Sequence, residues 1–214
     1  MSARLFIFGA GGHGKVAADC ATEQERWSGI EFYDDRWPAL DACAHWLVVG
    51  AGDDLLRQSR EPRETFVAIG DAGTRLAWIA QLAEAGFPLA TIVHPRAWVS
   101  AGAAIGRGSL VVAGAIVNIG ARLEEGVIVN TGATVDHDCA IGRGAHICPG
   151  AHLAGNVEVG QRAFVGIGAA VRQGVRIGAG AVIGAGAVVV HDIAEGVTAV
   201  GAPARPTDKI EDGR

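Results

Sequence analysis

The segment Val129-Asn130-Thr131-Gly132-Ala133-Thr134-Val135-Asp136-His137-Asp138-Cys139-Ala140-Ile141-Gly142-Arg143-Gly144-Ala145-His146-Ile147 decides the fold. Aliphatic residues stand at 129, 135, 141 and 147, and a small residue follows four positions after the first three: Ala133, Cys139 and Ala145. Extended both ways, the register runs from Val99 to Val189, sixteen aliphatic residues at a constant spacing of six. Six fits neither a helix nor a heptad. It contains the strand period of two, so each aliphatic residue can point inward from a short strand before a turn. Hexapeptide periodicity is the signature of a parallel β-helix.

Composition agrees. Of 214 residues, 50% are hydrophobic but only 6% aromatic, and 32 are glycine, as expected where backbone stacks closely on backbone. The formal net charge is −5 with no basic stripe, which argues against a nucleic-acid partner. Gly, Asn and charges interrupt every apolar run well short of a membrane span, and the N-terminal apolar run is too short for a signal peptide. Cys20, Cys43, Cys139 and Cys148 show neither C-x-x-C spacing nor a disulfide framework, so a reduced, cytoplasmic protein is expected.

The first ninety-odd residues follow another grammar. Apolar runs at Leu5–Phe8, Ile30–Tyr33, Trp46–Val49 and Phe66–Ile69 read as strands, and Lys15–Glu23 and Thr74–Ala85 as helices. Alternating strands and helices indicate a small parallel α/β unit. The expected division is 1–94 for this domain, 95–201 for the β-helix and 202–214 for a mobile polar tail.

Gly9-Ala10-Gly11-Gly12-His13-Gly14 follows a strand and opens a helix, and Asp34-Asp35 lie twenty residues beyond it. This is the dinucleotide fingerprint in its expected context, and the helix N-terminus can receive phosphate oxygens. The unit is too small for a second mononucleotide half, however, and a histidine within the loop suits a sugar phosphate better. One nucleotide, rather than NAD, is expected.

His137 is the third residue of its hexad, a position that projects from the coil, and Asp136 and Asp138 flank it. From the residues alone it is either a general base beside a carboxylate or a solvated histidine on a turn. Cys139 falls at an inward position, where a buried thiol is inert. His146 is placed to contact a ligand, whereas His152, His45, His94 and His191 read as structural or solvated. The spacings among His137, His146 and His152 are nine and six, without the five-residue pair of zinc-binding hexapeptide helices, so no metal is expected.

The GGHG loop, Tyr33-Asp34-Asp35, Val67-Ala68-Ile69-Gly70, Asn130-Thr131 and His137-Asp138-Cys139 together resemble the nucleotide-sugar and sialic-acid acetyltransferases, over nearly the whole chain. The resemblance implies a Rossmann-like α/β subdomain followed by a left-handed parallel β-helix of hexapeptide repeats. It also implies a homotrimer with acetyl-CoA as co-substrate between neighbouring helices. By the same resemblance, Gly11, Gly12, His13, Asp34, Asp35 and Gly70 are acceptor contacts, and His137 is the general base tuned by Asp138. His146, Gly155 and Ile167 line the acetyl-CoA cleft. Asp138 stands where the family often has Glu, and Asp71-Ala72 where it often has Asn-Asn. The expected activity is N-acetylation of a UDP- or GDP-linked 4-amino sugar for bacterial surface glycans. The alternatives are O-acetylation of a sialic-acid-like sugar and a non-catalytic nucleotide-sugar-binding scaffold.

Overall fold

The computed structural model describes residues 3–58 and 63–207. The chain divides into two compact units, Met1–Pro95 and Arg96–Arg214. Among the described residues no helix is long and apolar enough to cross a membrane.

The first unit is a five-stranded sheet with helices. In chain order it runs β1 (Arg4–Phe8), α1 (Gly12–Glu23), β2 (Ile30–Tyr33), β3 (Ala42–Cys43), β4 (Trp46–Gly50), α2 (Gly52–Leu56), β5 (Arg63–Val67) and α3 (Ala72–Glu84). The strand order is β3-β4-β2-β1-β5. All neighbours are parallel except the β3–β4 hairpin. Small residues on α1 (Gly14, Ala17, Ala18, Cys20 and Ala21) are buried. Phe6, Phe8, Tyr33, Leu55, Val67, Ile79, Leu82 and Phe87 form the core. Asp71 caps α3, its side chain accepting from Thr74 N at 2.8 Å, and so satisfies an otherwise orphaned donor of the first turn.

The second unit is the left-handed β-helix. From Trp98 to Val189 each two-residue strand pairs in parallel with a strand eighteen positions away. One face stacks Val99, Val117, Val135, Leu153, Val171 and Val189. A second stacks Ile105, Leu123, Ile141, Val159 and Ile177. The third stacks Val111, Val129, Ile147, Val165 and Ile183. The register of six thus becomes three inward columns. Val99 and Ile105, in the first coil, are half-buried; the other fourteen aliphatic residues are buried.

Corners recur with the same period. From Gly108 to Gly186 every sixth residue has φ near +60 to +80°, and eleven of these fourteen are glycine. Glycine suits that region because it has no Cβ to meet the following carbonyl. The exceptions are Asp138, Asn156 and Arg162. Of the segment read as tail, Arg205–Thr207 pairs antiparallel with Thr198–Val200; residues 208–214 lie outside the described residues.

Candidate active site

His137 stands on a corner of the β-helix with its side chain half exposed. Its Nδ1 lies 2.9 Å from Asp138 Oδ2. The carboxylate reaches this nitrogen because Asp138 occupies a corner position at φ 59°, where most corners use glycine. Asp136 supports the same turn from the other side: its Oδ1 accepts from His137 N at 2.8 Å and from Asn118 Nδ2 at 2.9 Å. The hydrogen bond to Asp138 raises the His137 pKa, with further help from the charges of Asp136 and Asp138. The bonds from His137 N and Asn118 hold Asp136 below the usual carboxylate range.

One coil further along, Gly155 faces the imidazole. A Cβ there would stand 2.4 Å from His137 Nε2 and 2.5 Å from its Cε1. Glycine therefore makes the space in which the ring lies. With Nδ1–H donated to Asp138, Nε2 carries the free lone pair, and the pair has the geometry of a general base with its orienting acid.

Asn130 Nδ2 lies 3.1 Å from His146 Nε2, and the His146 and Phe164 rings meet in a T-shaped arrangement at a centroid distance of 5.3 Å. Ile167 is 60% exposed. Thr134 Oγ1 lies 3.0 Å from Nδ1 of His152. Cys139 is buried, with Sγ 3.2 Å from the Ala154 carbonyl, and burial raises its pKa; Cys148 is pushed up to about 12 for the same reason.

In the first unit the glycine loop is tightly specified at its ends and open in its middle. A Cβ at Gly14 would meet the Gly9 carbonyl at 2.1 Å, and one at Gly9, where φ is +103°, would meet the Ala68 carbonyl at 2.8 Å. At Gly11, Gly12 and Gly70 nothing lies within 4 Å of an added Cβ. Asp34 is buried beside the loop; its Oδ2 accepts from Ala10 N at 2.8 Å, and Arg36 forks onto both oxygens at 2.8 Å. The bonds from Arg36 hold its pKa at about 2, with the Ala10 amide adding to the effect and burial opposing it.

Asp35 is engaged elsewhere, accepting from Gly52 N at 3.0 Å at the start of α2. Arg75 is fully buried in α3 and donates from Nη1 to the Ile69 and Gly70 carbonyls, both at 2.8 Å. Burial, reinforced by the Arg75 charge, pushes His13 down to about 4, so its imidazole is neutral near pH 7.

The PglD N-terminal domain profile matches residues 4–82, and the bacterial transferase hexapeptide profile (six repeats) matches residues 156–191. The structure is similar to the acetyltransferase domain of PglB from Neisseria gonorrhoeae in complex with acetyl coenzyme A. That match has 43% identity and a TM-score of 0.94, covering 97% of this chain and 100% of the other. The chain belongs to the nucleotide-sugar acetyltransferase family. This acetyltransferase is also similar to PerB from Caulobacter crescentus in complex with CoA and GDP-perosamine: 38% identity, TM-score 0.89, and 95% and 97% of the two chains covered. WeeI from Acinetobacter baumannii is more distant at 26% identity, with a TM-score of 0.88 over 96% of this chain and 100% of that one. No match was found among curated protein sequences.

The acetyltransferase's geometry also adds residues to the sequence-derived set. Asn118 and the backbone role of Asp136 were not legible, because both depend on register between coils eighteen residues apart. Arg36 and Arg75 carry no signal in the sequence, because single arginines form no motif. The replacement of the corner glycine by Asp138 was a legible signal, since position 138 falls in the glycine register that runs from 108 to 186.

Proposed function

We propose that the chain is an acetyl-CoA-dependent N-acetyltransferase acting on the amino group of a nucleotide-linked 4-amino sugar, as a homotrimer, with His137 as general base. The observation that carries this reading is the His137–Asp138 pair, half exposed on the coil with its Nε2 edge against Gly155. The likeness to PglB with acetyl coenzyme A and to PerB with GDP-perosamine supports the co-substrate and the acceptor class.

In this mechanism the neutral amine attacks the thioester carbonyl. Nε2 of His137 takes the amine proton as the C–N bond forms. The tetrahedral intermediate then collapses, the C–S bond breaks, and the His137 imidazolium returns its proton to the departing CoA thiolate, which leaves as the free thiol. Asp138 fixes the imidazole tautomer and favours the imidazolium that forms. Transfer is direct: Cys139 is buried and its thiol is held neutral. His146, Gly155 and Ile167 are assigned to the acetyl-CoA side, and Gly11, Gly12, His13, Asp34, Asp35 and Gly70 to the acceptor side. Exposed Phe164, Ile167 and Val182 supply apolar surface for a neighbouring copy.

The test is CoA release from acetyl-CoA with UDP-, GDP- and dTDP-linked 4-amino sugars and with sialic acid. Turnover with one amino sugar is expected. Turnover with sialic acid alone would replace this reading by O-acetylation, and no turnover with any acceptor would favour a scaffold.

A further inference from the structure

Asp34 and Arg36 divide their work at the mouth of the glycine loop in a way the sequence does not suggest. Asp34 Oδ1 accepts from Arg36 N at 3.0 Å and from Arg36 Nε at 2.8 Å. Its Oδ2 accepts from Arg36 Nη2 and from Ala10 N, both at 2.8 Å. A carboxylate offers about four lone-pair directions, and all are taken. The acid that the fingerprint assigns to the ligand has no acceptor capacity left for one. Arg36 is the reverse: both hydrogens of Nη1 and one of Nη2 remain available, and its side chain is 60% exposed.

We propose that Asp34 is a positioning residue and that Arg36, which it aims, binds a phosphate oxygen of the nucleotide sugar and so sets affinity for the diphosphate. This rests on the nucleotide-sugar reading given above. The geometry favours phosphate for three reasons. Ala10 N and Arg36 Nη2 meet on the same oxygen, so the guanidinium lies only two hydrogen bonds from the loop. The adjoining Gly11 and Gly12 leave open space at the start of α1, whose first turn holds no acid and no side-chain cap. Lys15, in that same turn, stands near enough for its charge to act with that of Arg36 on Cys43. Asp34 neutralises much of Arg36's net charge, so the arginine contributes directed donors in a fixed plane, the geometry that suits phosphate.

The experiment is calorimetric titration of the full chain, wild type and Arg36→Ala, with UDP and GDP, and with uridine and guanosine as phosphate-free controls. Steady-state kinetics of the same proteins complete it. Arg36→Ala is expected to weaken the preferred diphosphate tenfold or more and leave the matching nucleoside unchanged. KM for the nucleotide sugar should rise by a similar factor, while kcat and KM for acetyl-CoA stay at wild-type values. Arg36→Lys should not restore affinity, because an ammonium cannot span both carboxylate oxygens as the guanidinium does. Unchanged diphosphate affinity in Arg36→Ala would overturn the proposal, as would an equal loss for the nucleoside, which would place Arg36 on the base. Wild-type protein that binds no diphosphate and turns over no nucleotide sugar would instead overturn the nucleotide-sugar reading itself.

Discussion

At the residue scale, Asp138 combines a left-handed backbone with a side-chain contact to His137. A left-handed conformation costs an L-residue about 1–2 kcal/mol, though Asp tolerates it better than most. In this conformation the carboxylate stands 2.9 Å from His137 Nδ1. Asp138→Gly should therefore leave stability within about 1 kcal/mol of wild type while lowering kcat tenfold or more, read by thermal melts beside CoA-release kinetics. Asp138→Asn should shift the pH dependence. Because the acid raises the His137 pKa, and only neutral imidazole accepts a proton, activity rises with pH through that pKa; removing the anion lowers it. The acid limb of kcat/KM should move to lower pH in Asp138→Asn, and an unmoved limb would detach Asp138 from the titrating group. Gly155→Ala places a methyl 2.4 Å from Nε2. The ring must move, and a loss of about a hundredfold in kcat with an unchanged melting temperature is expected.

At the element scale, legibility tracked how local each cause was. The β-helix was readable because its cause repeats every six residues and each strand pairs with the equivalent strand three hexads on. The first unit was less so. Helix α1 begins at Gly12 rather than Lys15, because the glycine loop itself turns into helix while glycine carries no helical pattern. Strand β5 covers Arg63–Val67 rather than Phe66–Ile69. It lies at a sheet edge, where Thr65 is held by the Pro88 carbonyl and polar residues replace the apolar run. The glycine loop and Asp34 were found from spacing, but the saturation of Asp34 by Arg36 depends on side-chain geometry that spacing does not encode.

That cluster predicts stability as well as binding. Asp34→Ala leaves the buried Ala10 amide without its acceptor and should cost about 1–3 kcal/mol. Four of the five tryptophans (Trp27, Trp37, Trp46 and Trp78) lie in the first unit, so fluorescence-detected urea unfolding reports it. The folded pKa of Asp34, about 2, is below the unfolded carboxylate value of about 3.9. Its contribution is thus present above pH 4 and lost as pH falls toward 2, and the wild-type advantage over Asp34→Ala should shrink in that window.

At the scale of the whole molecule, the chain joins two units of unlike construction, one with an aromatic core beneath a glycine loop, the other an aliphatic column carrying His137 on its corner. Ligands should act on them separately. Acetyl-CoA at a hundred times its Kd should stabilise the protein by about 2.7 kcal/mol, and a nucleoside diphosphate should protect the tryptophan-rich first unit. Family membership follows from similarity along nearly the full chain; the catalytic assignment rests on one imidazole. The decisive measurement is kcat for CoA release by His137→Ala against wild type, with the amino-sugar acceptor that wild type prefers. A fall of about 10²–10⁴-fold, the range for loss of a general base, is expected, with KM values and melting temperature little changed. Turnover at the wild-type rate would contradict it and assign proton removal to another group.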